Sequence, residues 1–223
     1  MKKATRILLA MAFVLSFSLV SMGVAQADYH NPPGWENNPY FTHQSWHFST
    51  NANPSPPDVD NNPFGTAEYE AIGATWHEEW EGRSGVWQFD ELSWVDFEVP
   101  NKPDLPIKEV WFQATYWTDT NGQISEDSWI YPDPLGDVTF ARVSREEIGG
   151  GWYYETWMGT IIPQPELEVF TIFFDDGLEG PATVYVDQVD IDTRCVPIPG
   201  TLLLLGSGLV GFVVFGRRKV TLG

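Results

Sequence analysis

Over much of this chain apolar and polar residues alternate with a period of two, the signature of strands that bury one face. The clearest case is "EVWFQATYWT" at 109–118, where Val110, Phe112, Ala114 and Tyr116 fall on one side and Trp111, Gln113, Thr115 and Trp117 on the other. Short runs rich in β-branched and aromatic residues, punctuated by Gly, Pro, Asp and Asn, predict strands at 44–49, 68–77, 85–89, 94–99, 109–118, 137–143, 152–161, 166–174 and 182–192. Eight or nine short strands at this spacing make an all-β, antiparallel β-sandwich. "SREEIG" at 144–149 has the composition of a single helical turn. Residues 28–65 are dense in Asn and Pro, so they read as an extended segment that joins the sandwich, whose main body is 66–195.

The two ends break the alternation. Lys2, Lys3 and Arg6 precede an apolar run, which closes on Ala25-Gln26-Ala27. Charge, then apolar helix, then small residues is the order of a secretory signal peptide, here 1–27 with cleavage after Ala27. At the other end "VPIPGTLLLLGSGLVGFVVFGRRK" fills 196–219, leaving a tail of 220–223. A helix over 196–216 is just long enough to cross a bilayer, and Arg217, Arg218 and Lys219 would remain on the cytoplasmic side. The sandwich is thus expected to be flanked by an N-terminal signal helix and a C-terminal transmembrane helix.

Charge sharpens this picture. Six of the twelve basic residues lie in the terminal segments, whereas all 31 acidic residues lie between Asp28 and Asp192, so the body carries a formal charge of −25. Such a field repels phosphate backbones, which excludes nucleic acid as a partner. Cys195 is the only cysteine, so no disulfide can form within one chain.

The elements of the C-terminal segment, Pro197-Ile198-Pro199, Gly200, a Leu/Gly-rich helix and the Arg217-Arg218-Lys219 cluster, resemble the PEP-CTERM sorting signal of Gram-negative bacteria. Ile198 stands where the name-giving triad has an acidic residue. The resemblance implies a single-pass membrane precursor, processed by a membrane protease of the exosortase type. It also implies delivery to the cell surface or extracellular matrix of a host that makes extracellular polysaccharide. A second resemblance covers 149–192, "GGGWYYETWMGTIIPQPELEVFTIFFDDGLEGPATVYVDQVDID", which is similar to the closing strands of jelly-roll carbohydrate-binding modules. It implies a jelly-roll-like sandwich and, at the position of Asp187, a carboxylate that holds a structural Ca²⁺.

Candidate chemistry is narrow. The polar face of 109–118 offers two indoles to cover the apolar side of a sugar ring and two hydrogen-bonding side chains for its hydroxyls. Trp111, Gln113, Thr115 and Trp117 are therefore the candidate carbohydrate-binding residues, with polysaccharide as the partner. The same tryptophans could instead pack beneath a loop. "DVDNNPFGTAEY" at 58–69 begins like a calcium loop, but Pro63 replaces the turn glycine and Tyr69 the closing Glu. "HEEWE" at 77–81 lacks the second histidine of a zinc protease motif. No nucleophile elbow or phosphate loop is present, so the chain reads as a non-enzymatic, polysaccharide-binding surface protein whose one expected cofactor is the structural Ca²⁺ that the resemblance implies. The alternatives are a structural envelope or matrix protein without sugar specificity, and a glycan-active hydrolase using two of its many carboxylates.

Overall fold

The computed structural model describes residues 31–102, 105–178, 180 and 182–197. The signal segment, with Ala25 and Ala27, lies outside the described residues, as does the sorting segment beyond Pro197, with Pro199, Gly200, Arg217, Arg218 and Lys219. Among the described residues there is no helix, and none that could cross a membrane.

The strands are β1 (Phe41–Trp46), β2 (Val59–Asn61), β3 (Glu68–Ile72), β4 (Thr75–Trp80), β5 (Arg83–Phe89), β6 (Trp94–Pro100) and β7 (Ile107–Trp117). They continue with β8 (Gln123–Ile124), β9 (Trp129–Asp133), β10 (Asp137–Gly149), β11 (Trp152–Ile162), β12 (Leu167–Ile172), β13 (Phe174–Asp175) and β14 (Val184–Val196). An eight-stranded sheet runs β10-β11-β7-β14-β1-β2, with β5 also paired to β14 and β4 to β5. A four-stranded sheet runs β3-β6-β12-β9, and β13 and β8 form a small ribbon. The pairings are antiparallel.

Alternation explains the layers. Val110, Phe112, Ala114 and Tyr116 of β7 point inward with Val184, Val186, Val189 and Ile191 of β14. They meet Tyr69, Val95, Phe97, Val99, Phe170 and Ile172 of the smaller sheet in one apolar cluster. Phe97 links the layers, with Trp46 at 4.9 Å and Phe112 at 6.0 Å between ring centroids. Two antiparallel sheets around one core are consistent with a β-sandwich.

Local pattern misjudged three places. The run at 68–77 is two strands, because Gly73 takes φ 70 and turns the chain from the four-stranded sheet (β3) into the eight-stranded one (β4). "SREEIG" is not a helical turn but the end of β10, held by pairing of Arg145 with Glu155 and Glu146 with Tyr154 after a register shift between Arg142 and Ser144. The run at 166–174 ends at Ile172, with Phe174 moving to the ribbon. Strands β2, β8 and β9 were not signalled by alternation, being short or, in β9, carrying Pro132 near an edge.

Charges inside the core come as close pairs. Lys108 of β7 meets Glu168 of β12 at 3.1 Å across the layers, both fully buried. Burial pushes the Glu168 carboxyl up to about 7, and the Lys108 ammonium works against that shift. Cys195, opposite Lys108 on β14, is a buried free thiol whose pKa burial also raises. Farther along, Glu155 accepts from the Tyr116 hydroxyl at 2.5 Å and the Trp157 Nε1 at 2.8 Å, with Arg142 Nε at 3.2 Å.

Candidate functional site

The site is the outer face of the eight-stranded sheet, where antiparallel register lines side chains up in rows across β11, β7, β14 and β1. One end row joins Trp152, Trp117 and Tyr185, with Gln88 of β5 beyond. Next come Tyr154, Thr115 and Gln188, then Thr156, Gln113, Asp190 and Ser45. The row after that joins Met158, Trp111, Asp192 and His43. Two polar rows therefore lie between two rows that carry indoles. Trp111 and Trp117 stand six residues apart on one face of β7, a separation of about 20 Å at strand rise.

A bulge on β14 creates this alignment. Strict alternation would put Tyr185 and Asp187 on one face, but the register shifts between Val186 and Gln188. The shift brings Gln188, Asp190 and Asp192 onto the same face as Tyr185. Asp187, the residue at the bulge, meets the Arg83 guanidinium at 2.5 Å, and Arg83 in turn lies 4.5 Å over the Trp152 ring. Among the described residues no group of three or more His, Cys, Asp or Glu side chains is placed to hold a metal ion.

The aromatic ends are built differently. At one, Trp80 stacks on Tyr185 with centroids 3.8 Å apart and planes 6° from parallel, and Trp117 stands edge-on to both. The chain reverses over Trp117 through Gly150 and Gly151: the Trp117 Nε1 donates to the Gly150 carbonyl at 2.9 Å. A Cβ on Gly151, whose φ is 83, would lie 2.6 Å from that nitrogen. At the other end Trp35 packs edge-on against Trp111 at 6.3 Å and lies beneath the Arg194 guanidinium. Trp111 Nε1 and Gln113 Nε2 both donate to the Asn31 carbonyl.

All four residues picked from the alternation of β7 thus share this face. Trp111 and Trp117 are half-buried, whereas Gln113 and Thr115 are buried. Alternation in β7 alone missed Trp80, Trp152, Tyr185, Thr156 and Asp190. The signal for Asp190 was present in "VDQVDID", but the bulge changes its phase. Trp80 and Trp152 come from strands paired far along the chain, so no local pattern brings them together.

The polar rows hold buried polar side chains. Gln113 Oε1, Thr115 Oγ1 and Thr156 Oγ1 are buried with no hydrogen-bond partner among the described residues. Leaving such atoms without a partner costs about 1–3 kcal/mol each. Asp190 Oδ2 accepts from Gln188 Nε2 at 2.8 Å. Burial pushes the Asp190 carboxyl up to about 6; a hydrogen bond from Ser45, the His43 charge and the Gln188 amide oppose that shift, and the Asp192 charge reinforces it. His43 Nδ1 lies 2.8 Å from Asp192 Oδ1. Burial draws the His43 pKa down, but the Asp192 hydrogen bond and the charges of Asp192 and Asp190 outweigh it, so the net shift is upward.

These features define an all-β protein of antiparallel sheets with an aromatic-bracketed polar face. Comparison with protein-family models gives no match, and comparison with curated proteins gives none either.

Proposed function

We propose that this protein is an exported, non-catalytic, jelly-roll-like β-sandwich that binds polysaccharide, sorted to the cell surface or extracellular matrix through its C-terminal exosortase-type signal. The observation that carries the reading is the alignment of polar rows between the half-buried indoles of Trp111 and Trp117 on one strand. Indole faces cover the apolar side of pyranose rings, and the rows between supply partners for hydroxyls. The separation of the two indoles suits a chain of several sugars rather than a single ring.

The test is affinity electrophoresis of the full chain in mild detergent, through gels containing neutral or acidic polysaccharides, with Ca²⁺ and with EDTA. Retardation lost in the Trp111→Ala/Trp117→Ala double variant supports the reading. Retardation lost in EDTA shows that binding needs a divalent cation and points to Asp187 as a ligand to test by substitution. If no polysaccharide retards the protein under either condition, it is a structural matrix protein instead.

A further inference from the structure

We infer that the outer face of the four-stranded sheet is a separate binding surface, for a polysaccharide whose sugars carry protonated amines. The inference goes beyond the reading above, since it concerns the other sheet and uses none of the residues of the eight-stranded one. It follows from the side chains that strand register brings into rows there.

β9 is an edge strand of the small sheet, and burial alternates along it. Ile130 and Pro132 are buried, whereas Trp129 and Tyr131 are 50% and 51% exposed. Among the described residues no other Trp, Tyr or Phe side chain is exposed. The two stand about 7 Å apart along the strand, on the same face. Trp129 is not an isolated ring: its centroid lies 5.1 Å from that of Phe173, which lies 6.1 Å from that of Trp94. A contiguous apolar strip open to water marks a contact surface, where a single exposed ring would not.

Pairing carries each exposed ring into a row that ends in carboxylates. Trp129 is followed across the sheet by Thr171, Asp96 and Glu70, and Tyr131 by Val169, Glu98 and Glu68. Strand spacing puts the first acid of each row about 10 Å from its ring and the second about 14 Å away. Asp96 accepts from Trp94 Nε1 at 3.2 Å, and the other three carboxylates are exposed. Neither row holds a basic residue. The cross-strand pairs Glu70 with Asp96 and Glu68 with Glu98 therefore set like charges side by side, which works against folding. Positive charge brought from outside relieves that repulsion.

The occupant that matches both ends of a row has a flat apolar face for the ring and positive charge for the acids. A polymer of glucosamine carries both on every unit: the sugar ring covers indole or phenol, and its ammonium is drawn to carboxylates and to the π face. A neutral sugar leaves the acids unanswered, and a uronate adds to their repulsion. A basic peptide such as oligolysine offers charge without the flat ring.

The test is calorimetric titration of the full chain in mild detergent, with the sugar amines protonated and at salt that confines charge effects to a few ångströms. The probes are a soluble oligomer of β-linked glucosamine, its N-acetylated counterpart, and oligolysine of equal charge. The glucosamine oligomer is expected to bind at least about tenfold more tightly than either of the others. Trp129→Ala/Tyr131→Ala, which leaves the net charge untouched, should weaken it by at least about tenfold. Glu70→Gln/Glu98→Gln should weaken it by at least about fivefold, whereas Glu78→Gln/Glu79→Gln, which removes the same charge from β4 in the other sheet, should stay within about twofold of the parent. Thermal unfolding reports whether each variant keeps its fold, and if the aromatic variant does not, the comparison of the two glutamate pairs decides. Full affinity in a folded Trp129→Ala/Tyr131→Ala variant overturns the inference. Equal affinities in the two glutamate variants, or either control probe bound as tightly as the glucosamine oligomer, do the same. Failure of the glucosamine oligomer to bind overturns this inference alone, because the reading above is tested separately through Trp111 and Trp117.

Discussion

The two faces of the eight-stranded sheet bury different kinds of side chain. On the inner face Phe112, Trp157 and Val189 pack against the smaller sheet, and charge is admitted only in close pairs such as Lys108 with Glu168. On the outer face the buried side chains include Thr115, Gln113, Thr156 and Asp190. One strand, β7, serves both, since successive side chains of a pleated strand point to opposite sides. Burial by itself therefore does not mark a core. What distinguishes the two faces is what their side chains pack against: the inner one meets the aromatic cluster of the smaller sheet, whereas the outer one is polar between its rows of indoles.

The comparison can be broken most forcefully from the inside. Phe112→Ala removes a fully buried ring that contacts Phe97, Phe140 and Phe170, so chemical denaturation should show a loss of about 3–5 kcal/mol. Anything under about 1 kcal/mol would mean the inner face is not the core.

The second test uses pH. The carboxyl of Glu168 is raised from the ordinary 4.5 to about 7, so between those values the folded state holds a proton that the unfolded state has released. Its contribution to stability is therefore full below about 4.5 and is lost as pH rises through about 7, with a slope of up to about 1.4 kcal/mol per pH unit. Glu168→Gln should flatten the stability profile in that window relative to the parent protein. A profile that is the same with and without the carboxyl would remove Glu168 as its source.

Third, the Trp111→Ala/Trp117→Ala variant should lose at least about tenfold in glycan affinity, or about 1.4 kcal/mol. Its stability should fall by about 1–2 kcal/mol, less than for Phe112→Ala, since both indoles are half-buried and held chiefly by aromatic neighbours. A variant that unfolds would make these residues structural instead.

The smallest effect is expected on the outer face of the four-stranded sheet. There Glu68 stands opposite Glu98 and Glu70 opposite Asp96, two like-charged cross-strand pairs. Glu70→Gln should change stability by no more than about 0.5 kcal/mol, toward greater stability, and leave alone the glycan affinity that depends on Trp111 and Trp117. A change in that affinity would locate that binding on the wrong sheet.

Much of this was legible in particular residues. The alternation of 109–118 separated Phe112 from Gln113 correctly, because the pleat has a fixed period whatever the strand's neighbours. The same rule failed at Gly73, where a left-handed backbone carries the chain between layers, and at Asp187, where a bulge inserts a residue and reverses the phase. It also failed for "SREEIG", because a helical composition there is outweighed by an existing partner, β11. The site was half visible: Trp111, Gln113, Thr115 and Trp117 come from one strand, whereas Trp80, Trp152, Tyr185 and Asp190 come from strands that local pattern cannot pair.

The sequence by itself determined that the body is all β, which side of β7 is apolar, and how strongly the body is charged, since each depends on neighbouring residues or on a count. Only the tertiary structure decided that β1 lies against β14, with Thr42 bonded to Thr193 at 2.7 Å across 151 residues. It alone decided that Thr156, Gln113, Asp190 and Ser45 form one row. Strand pairing is a long-range choice made by the backbone hydrogen bonds and packing of the whole sheet, so a face assembled from four strands exists only once the sheet has closed.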